Sequence, residues 1–259
     1  METTQNQLLN GRISVLQPQE GYRAAIDPVF LAATLEPQPQ DRVLEVGAGV
    51  GTAMLCLAAR VPDCHVTGIE LQTELVQLGI KNILNNKFEN HLHLIQGDLS
   101  NPPASLMKGT FHHVMANPPY LAGNLASASP HAGKALAHHE GDVTLKDWID
   151  FCLTMLIPKG SITLIHRADR LDSLLAALVG KVGEISIFPL WPKQDKPAKR
   201  VLIQGRKGVA SPSCLKHGMV LHQEDGCYTK QAEAILRHGY SLYNAQLLKF
   251  ESLDVNVSR

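Results

Sequence analysis

The sequence predicts an α/β fold in which a mostly parallel sheet of seven strands is finished by an antiparallel C-terminal hairpin. From residue 42 to residue 179, short apolar segments typical of strands alternate with segments that are apolar at helical spacing. This alternation is typical of a parallel sheet covered by helices. The polar, proline-containing loop 191–199 separates two further strands, which we expect to pair antiparallel.

The elements follow in order along the chain. The predicted strands are 42–46, 65–69, 91–96, 111–115, 161–166, 184–190 and 200–204. The predicted helices are 28–35, 50–60, 71–86, 144–157, 170–179 and 229–238, and a short strand is expected at 219–222. Asp27 and Pro28 suit the N-cap and the first position of the first helix.

Length and composition indicate one globular domain with additions. The chain has 259 residues, a formal net charge of zero and 19% charged residues, so any nucleic-acid surface must be a local patch. Residues 1–40 are expected to form a hairpin or lid and a helix of the same domain, 41–240 its main part, and 241–259 a tail.

The five cysteines are scattered without a CxxC pair, which favours a reducing compartment over a disulfide framework or a zinc site. The chain begins without the basic and apolar regions of a signal peptide, and no stretch of about 18 apolar residues is present. We therefore expect a cytoplasmic protein without a membrane segment or a metal, and a monomer.

A glycine-rich turn joins the first predicted strand to the next helix. Gly47, Gly49 and Gly51 follow the strand directly, and glycines allow a sharp turn and a close approach of the backbone to a ligand. NAD-binding folds use the same arrangement around a pyrophosphate. The glycines alone therefore leave the ligand open.

Carboxylates at the ends of three successive strands narrow the choice of ligand. Glu45 precedes the glycines, and Glu70 and Asp98 follow the next two strands. Glu45 would repel a pyrophosphate but suits an ammonium group, and Glu70 can accept both ribose hydroxyls. Asp98 can accept an adenine amine. The set favours S-adenosylmethionine, which carries a sulfonium and an ammonium and no phosphate.

The strand 111–115 ends in Ala116 and then in Asn117-Pro118-Pro119-Tyr120. Two prolines stop the strand and stiffen the turn. The Asn117 side-chain oxygen and the Pro118 carbonyl can each accept one hydrogen of a planar –NH2 group, while Tyr120 stacks on its ring. The turn therefore predicts a site for an amine-bearing base or amide.

Two further segments are candidates for substrate contact. Residues 121–143 are rich in Gly, Ala and Ser without periodicity, which favours a lid. A group of basic residues surrounds the last two long strands and is the best local candidate for contacts to a phosphate backbone. These residues are Lys193, Lys196, Lys199, Arg200, Arg206 and Lys207.

Together these residues resemble the class I S-adenosylmethionine methyltransferases, which have a Rossmann-like fold. Within them the chain resembles the bacterial family that methylates the exocyclic amine of the adenosine 3′ of the anticodon in a valine tRNA. The likeness runs from about Leu8 to His238. It rests on 21–23 and 26–28, 45–51, Glu70, Asp98, 117–120, 139–140, 199–208 and 225–229. One departure is His138, where the family pattern has an arginine.

The resemblance implies S-adenosylmethionine as cofactor and tRNA as partner. It implies Glu70 on the cofactor ribose, Asp98 on its adenine, and Asn117, Pro118 and Tyr120 on the target base. It also implies Arg23 and Asp27 near the methionine end. The alternatives are methylation of a protein glutamine amide, a nicotinamide-dependent oxidoreductase, and a non-catalytic nucleic-acid-binding module.

Overall fold

The structure is a computed structural model that describes residues 2–20, 26–119 and 143–248. Its strands are β1 (Thr3–Leu8), β2 (Ile13–Pro18), β3 (Arg42–Val46), β4 (His65–Glu70), β5 (Leu92–Gln96), β6 (Phe111–Ala116), β7 (Leu156–Arg167), β8 (Val182–Trp191), β9 (Arg200–Lys207), β10 (Cys214–Leu215) and β11 (Met219–Val220). Its helices are α1 (Asp27–Thr34), α2 (Thr52–Arg60), α3 (Thr73–Asn85), α4 (Leu145–Met155), α5 (Leu171–Leu178), α6 (Lys230–Leu236) and α7 (Leu242–Leu247).

One sheet forms the centre of the molecule. Its strand order is β10-β8-β9-β7-β6-β3-β4-β5, with β11 beside β8. β9 runs antiparallel to both β7 and β8, and the other pairings in this sheet are parallel. Seven strands have five or more residues, while β10 and β11 have two each. The predicted fold class is confirmed.

Side-chain alternation divides the core between the two faces of the sheet. Val43 and Met115 pack into a cluster with α1, α2, α3 and the N-terminal hairpin. Leu44 and Val114, their neighbours in sequence, pack into a second cluster with α4 and α5. Both faces are therefore buried, as the apolar character of these parallel strands predicts.

The N-terminal hairpin is joined to the main fold by two asparagines, Asn82 of α3 and Asn86 at its C-cap. Asn82 accepts from Leu16 N–H at 2.7 Å and donates to the carbonyls of Leu16 and Val50. Asn86 accepts from Ser14 N–H at 2.9 Å and donates to its carbonyl at 2.7 Å. The two amide side chains bond the backbone of β2 as a neighbouring strand would. Asn82 also connects β2 to the loop after β3.

A network of side-chain hydrogen bonds lies near the amino ends of strands β3, β6 and β7. His113 Nδ1 lies 2.7 Å from Ser161 Oγ, and its Nε2 lies 3.1 Å from Asp41 Oδ2. Burial lowers the pKa of His113 more than Asp41 raises it. The polar positions of β6 thus connect three strands across the sheet.

The element boundaries differ from the prediction in three places. Helix α4 ends at Met155 and β7 begins at Leu156, so Pro158 lies within a strand and not at a helix end. Asp27 is the first residue of α1, and the N-cap position is Ile26, one residue earlier than predicted. Helix α7 lies in the segment expected as a tail, with Leu242 and Ala245 buried.

Within the described ranges, none of the helices is both long enough and apolar enough to cross a membrane.

Asn82 is fully buried, so replacing it removes the partner of the buried Val50 carbonyl and of the part-buried N–H and carbonyl of Leu16. We expect Asn82→Leu to lower the free energy of unfolding by about 2–4 kcal/mol, because each unsatisfied buried group costs about 1–3 kcal/mol. Urea unfolding measures the change. The exposed Asn85→Ala on the same helix should change it by less than about 0.5 kcal/mol. Equal losses in both variants would contradict the role of Asn82.

Candidate active site

The candidate site lies at the carboxyl edge of the sheet, between β3 and β6. The chain passes from β3 outward to β4 and β5, and then returns to β6 on the other side of β3. Ligands of open α/β sheets bind at such a reversal of strand order. The loop 47–51 after β3 and the turn 117–119 after β6 therefore lie on adjacent strands, with Val46 beside Ala116.

Glu45 lies beneath the glycine loop and is 5% exposed. Its Oε2 accepts the Met54 N–H of helix α2 at 3.0 Å. The N-cap residue Gly51 has no side chain that could accept this N–H. Glu45 therefore acts as the acceptor for a backbone N–H that the helix itself leaves without a partner. Burial raises the pKa of Glu45 to about 8, although the Met54 hydrogen bond opposes the shift. The predicted contact of Glu45 with an ammonium stays a prediction.

Glu70 is the last residue of β4 and holds the loop from the other side. Its Oε2 accepts Gly49 N–H and its Oε1 accepts Gln72 N–H, each at 2.9 Å. A carboxylate offers about four acceptor positions, so Glu70 keeps capacity for ribose hydroxyls. Asp98 follows β5, and its Oδ1 accepts Ser100 N–H at 2.8 Å. The predicted ribose and adenine contacts of both residues stay predictions.

The three glycines adopt the left-handed backbone conformation that the loop requires, with φ values of +70° at Gly47, +55° at Gly49 and +81° at Gly51. A Cβ on Gly47 would lie 2.5 Å from Cη2 of Trp148 on α4, whereas a Cβ on Gly49 would meet no atom of the described residues within 4 Å. The backbone at Gly49 is therefore open to a ligand, and the indole covers the loop at Gly47. This geometry fits a cofactor placed on the loop.

The turn after β6 contains Asn117, half-buried, followed by buried Pro118 and exposed Pro119. His166, near the end of β7, is buried, and burial lowers the pKa of its ring. Tyr120, Arg23 and residues 121–142 lie outside the described residues. The structure thus describes two of the three residues predicted to contact the base.

Asp27 and Arg200 lie together, although the sequence assigned them to different ligands. Arg200 Nε donates to Asp27 Oδ2 at 2.8 Å. This ion pair joins the first turn of α1 to the first residue of β9 at the carboxyl edge.

The six basic residues expected to contact RNA do not form one patch. Lys193, Lys196 and Lys199 lie in the loop before β9, at the same edge as the glycine loop. Arg206 lies six residues along β9 from Arg200, about 20 Å away at about 3.3 Å per residue. It donates there to the Lys159 carbonyl, and Lys207 donates to the Leu156 carbonyl. These residues are close in sequence, but the length of β9 separates them in space.

Trp148 and His166 are site residues that the sequence analysis missed. Trp148 belongs to the apolar face of α4, which includes Leu145, Ile149 and Cys152, and so it reads as a core residue. His166 ends an apolar strand and is 2% exposed. His166 could have been predicted as a site residue from its position at the carboxyl end of a predicted strand.

Comparisons with known proteins agree with this geometry. The Methyltransferase small domain model matches residues 25–145. The chain is 24% identical over 209 residues to the tRNA1(Val) (adenine(37)-N6)-methyltransferase of Aeromonas hydrophila, covering 80% of this chain and 85% of that protein. It is 27% identical over 236 residues to the protein of the same name from Parabacteroides distasonis, covering 88% and 95%.

Solved structures share the fold. A predicted O-methyltransferase, protein Atu636 from Agrobacterium tumefaciens, aligns with a TM-score of 0.69 at 22% identity, covering 84% of this chain and 98% of that one. The geranyl diphosphate C-methyltransferase of Streptomyces coelicolor aligns with a TM-score of 0.52 at 15% identity, covering 70% and 74%.

The sheet order, the glycine loop with its two carboxylates and these matches identify the chain as a class I S-adenosylmethionine-dependent methyltransferase. Within that class, its sequence is similar over most of its length to the bacterial tRNA1(Val) (adenine(37)-N6)-methyltransferases. The predicted enzyme class and cofactor are confirmed.

The raised pKa of Glu45 predicts a pH-dependent stability. The pKa of Glu45 is about 8 in the folded protein against an ordinary 4.5. Its contribution to the stability of the fold is therefore fully present below pH 4.5 and is lost as the pH rises through 8. Glu45→Gln retains an oxygen acceptor for Met54 and never ionises. We expect its melting temperature to exceed that of the wild type by at least about 2 °C at pH 9, and the difference to shrink at pH 6.

Differential scanning fluorimetry of the unliganded protein measures both melting temperatures. Glu89→Gln, which removes an exposed carboxylate, controls for the change in net charge and should track the wild type at both pH values. A Glu45→Gln variant that is destabilised equally at pH 6 and pH 9 would contradict the assignment.

Proposed function

We propose that this methyltransferase methylates the exocyclic N6 amine of an adenine in tRNA, the adenosine 3′ of the anticodon of tRNA(Val) being the first candidate. The single observation that carries the proposal is the position of the Asn117-Pro118-Pro119 turn, on the strand next to the glycine loop. The names of the similar proteins support the choice of tRNA as substrate.

The chemistry of the turn suits an aromatic amine. The lone pair of an adenine amine is delocalised into the ring, so the amine is a weak nucleophile. Asn117 Oδ1 and the Pro118 carbonyl would each accept one amine hydrogen, which favours a tetrahedral nitrogen and directs its lone pair towards the loop. The rigid turn holds both acceptors in place before the substrate binds.

The cofactor, when bound, supplies an electrophilic methyl group on a sulfonium. At the amine nitrogen, held by Asn117 and Pro118, this methyl group would replace one hydrogen, whose proton would pass to water. Glu70 and the loop 47–51 would orient the donor. Asn117 and Pro118 would orient the acceptor, which makes positioning the main contribution of the protein.

Binding of the RNA would use the carboxyl edge of the sheet. Lys193, Lys196 and Lys199 lie there, in the loop between β8 and β9. The target base has to leave its stack, at a cost of a few kcal/mol that is smaller in a single-stranded loop. Stacking on Tyr120 would return about 1–3 kcal/mol. Arg206 and Lys207, at the far edge, would contact only an RNA that extends around the sheet.

Incubation with radioactive S-adenosylmethionine tests the proposal directly. A bulk tRNA pool and a protein pool are offered separately to the same enzyme. Label in tRNA, recovered as N6-methyladenosine by nucleoside mass spectrometry, supports the proposal. Label in glutamine amides of protein would overturn it, since that planar –NH2 group also fits the turn. Loss of the nucleoside from tRNA of a strain lacking the gene would identify the position.

Asn117→Ala removes one of the two amine acceptors. We expect it to bind S-adenosylhomocysteine within about twofold of the wild type and to lose at least about 100-fold in turnover, because a misplaced acceptor can cost that much. Isothermal titration and single-turnover methylation measure the two properties. Asn101→Ala, on an exposed turn after β5, is the control. Unchanged turnover in Asn117→Ala would refute its assigned role.

Tyr120 is proposed to act through its ring and not through its hydroxyl. Tyr120→Phe should therefore keep turnover within about threefold, whereas Tyr120→Ala should raise the KM for tRNA by about 5- to 100-fold, the equivalent of the 1–3 kcal/mol of one stacked base. Steady-state kinetics with saturating cofactor measures both variants. Equal impairment of the two would indicate that the hydroxyl carries the contact.

A further inference from the structure

A small cavity lies at the end of β8, outside the site described above. Its volume is about 220 Å³, and it is lined by Trp191, Gln194, His217, Gly218 and Val220. β9 runs antiparallel to both β7 and β8, so β8 ends at the same edge of the sheet as β7 and β6. The cavity therefore lies at the carboxyl edge, as do the glycine loop and the Asn117 turn.

The strand pairings place Trp191 at the height of that turn. Leu190 pairs with Arg200 of β9, and Arg200 pairs with Arg167 of β7. Ala116, the last residue of β6, pairs with β7 three residues before Arg167. Trp191 is thus level with the residues that follow Ala116, and it is three strands away, about 14 Å at about 4.8 Å per strand. At roughly 3.4 Å per stacked nucleotide, about four nucleotides span this distance.

The indole of Trp191 is half-buried and fixed by the backbone around it. Its Nε1 donates to the His217 carbonyl at 3.2 Å, and its own carbonyl accepts the Leu221 N–H at 2.8 Å. Gly218 has a φ of +78°, and a Cβ there would lie 2.6 Å from Nε1, so glycine permits this close approach. The ring N–H is used within the protein. A ligand that contacts the ring face meets a surface that loses little freedom on binding.

The side chains around the cavity suit an RNA base. Gln194 carries both hydrogen-bond donors and an acceptor. The loop 192–199 contains three lysines and one aspartate, a net charge of +2, which favours phosphate groups. Proteins recognise unpaired RNA bases with an aromatic face, hydrogen bonds to the base edge and nearby cations. The cavity combines these three features.

We propose that this cavity binds an unpaired base of the RNA substrate, stacked on the Trp191 indole within about four nucleotides of the target adenine. The inference rests on the proposed function, because it names a second base contact of the same RNA. Lysine contacts to phosphates position an RNA but carry no sequence information. A second anchored base fixes which nucleotide reaches the Asn117 turn.

Two variants of Trp191 test the stacking. Trp191→Leu keeps an apolar side chain without a ring face, and Trp191→Phe keeps a smaller face. With a fluorescein-labelled octamer of adenosine and with bulk tRNA, both in the presence of S-adenosylhomocysteine, we expect Trp191→Leu to weaken binding by about 5- to 100-fold and Trp191→Phe by less than about fivefold. The KM for tRNA should rise in parallel, while turnover at saturating tRNA stays within about threefold of the wild type.

The salt dependence of binding separates stacking from a displaced loop. The indole carries no charge, so Trp191→Leu should keep the wild-type slope of log affinity against log salt, whereas Lys196→Ala should reduce that slope by about 1. Tyr243→Leu is the matched control. It removes an exposed ring of α7 that lines a different cavity, and it should bind RNA as the wild type does. Wild-type affinity in Trp191→Leu would overturn the proposal.

Tryptophan fluorescence provides a second measurement that does not depend on the Leu variant folding. The chain has two tryptophans, Trp148 and Trp191, and a base stacked on an indole quenches its emission. The adenosine octamer should quench the wild type and Trp148→Phe, and it should leave Trp191→Phe nearly unquenched. Absence of quenching in Trp148→Phe would contradict the stacking. Equal quenching by polyglutamate would assign the surface to acidic peptides and would also overturn the proposal.

These outcomes distinguish this inference from the proposed function. If RNA binds with quenching of Trp191 but accepts no methyl group, the proposed function fails and the base-binding cavity stands. If tRNA is methylated but Trp191→Leu binds it as tightly as the wild type, the cavity proposal fails and the proposed function stands. A wild-type protein that binds neither the octamer nor tRNA would overturn both.

Discussion

The glycine loop depends on two buried carboxylates: one accepts a backbone N–H of the loop, and the other accepts a backbone N–H in the first turn of the helix that follows it. Glu45 binds the first turn of α2 from below, and Glu70 binds Gly49 from the next strand. A loop with left-handed glycines has high conformational freedom when unfolded, so these hydrogen bonds fix one arrangement among many. The Val50 carbonyl adds a third point of attachment, through Asn82 and the N-terminal hairpin.

A fixed loop is useful only if the acceptor is equally fixed, and the sheet provides this. β3 carries the loop, β6 carries the Asn117 turn, and β7 carries His166, in consecutive positions. Neighbouring strands lie about 4.8 Å apart. The hydrogen bonds between β3 and β6 therefore fix the distance between the glycine loop and the Asn117 turn. Prolines stiffen the turn along the chain.

The sequence predicted what local pattern determines and missed what tertiary contact determines. The seven strands, the glycine loop and the carboxylates at strand ends follow from periodicity and from residues adjacent in sequence. The ion pair between Asp27 and Arg200 joins residues far apart in the chain, so no spacing indicated it. The basic residues appeared clustered because they are close in sequence, whereas the extended strand β9 places them far apart in space. Trp148 and His166 look like core residues until the loop and the turn are placed beside them.

The zero net charge bears on how an RNA substrate would be selected. At the carboxyl edge the described loop between β8 and β9 provides Lys193, Lys196 and Lys199, of which Lys193 already contacts Glu224. Few phosphate contacts give a modest affinity and only a shallow dependence of that affinity on salt. Under the proposed function, discrimination would come mainly from the unstacked base, because a planar amine would satisfy both acceptors and other groups would leave them unpaired. The rigidity of the turn would then serve specificity as well as rate.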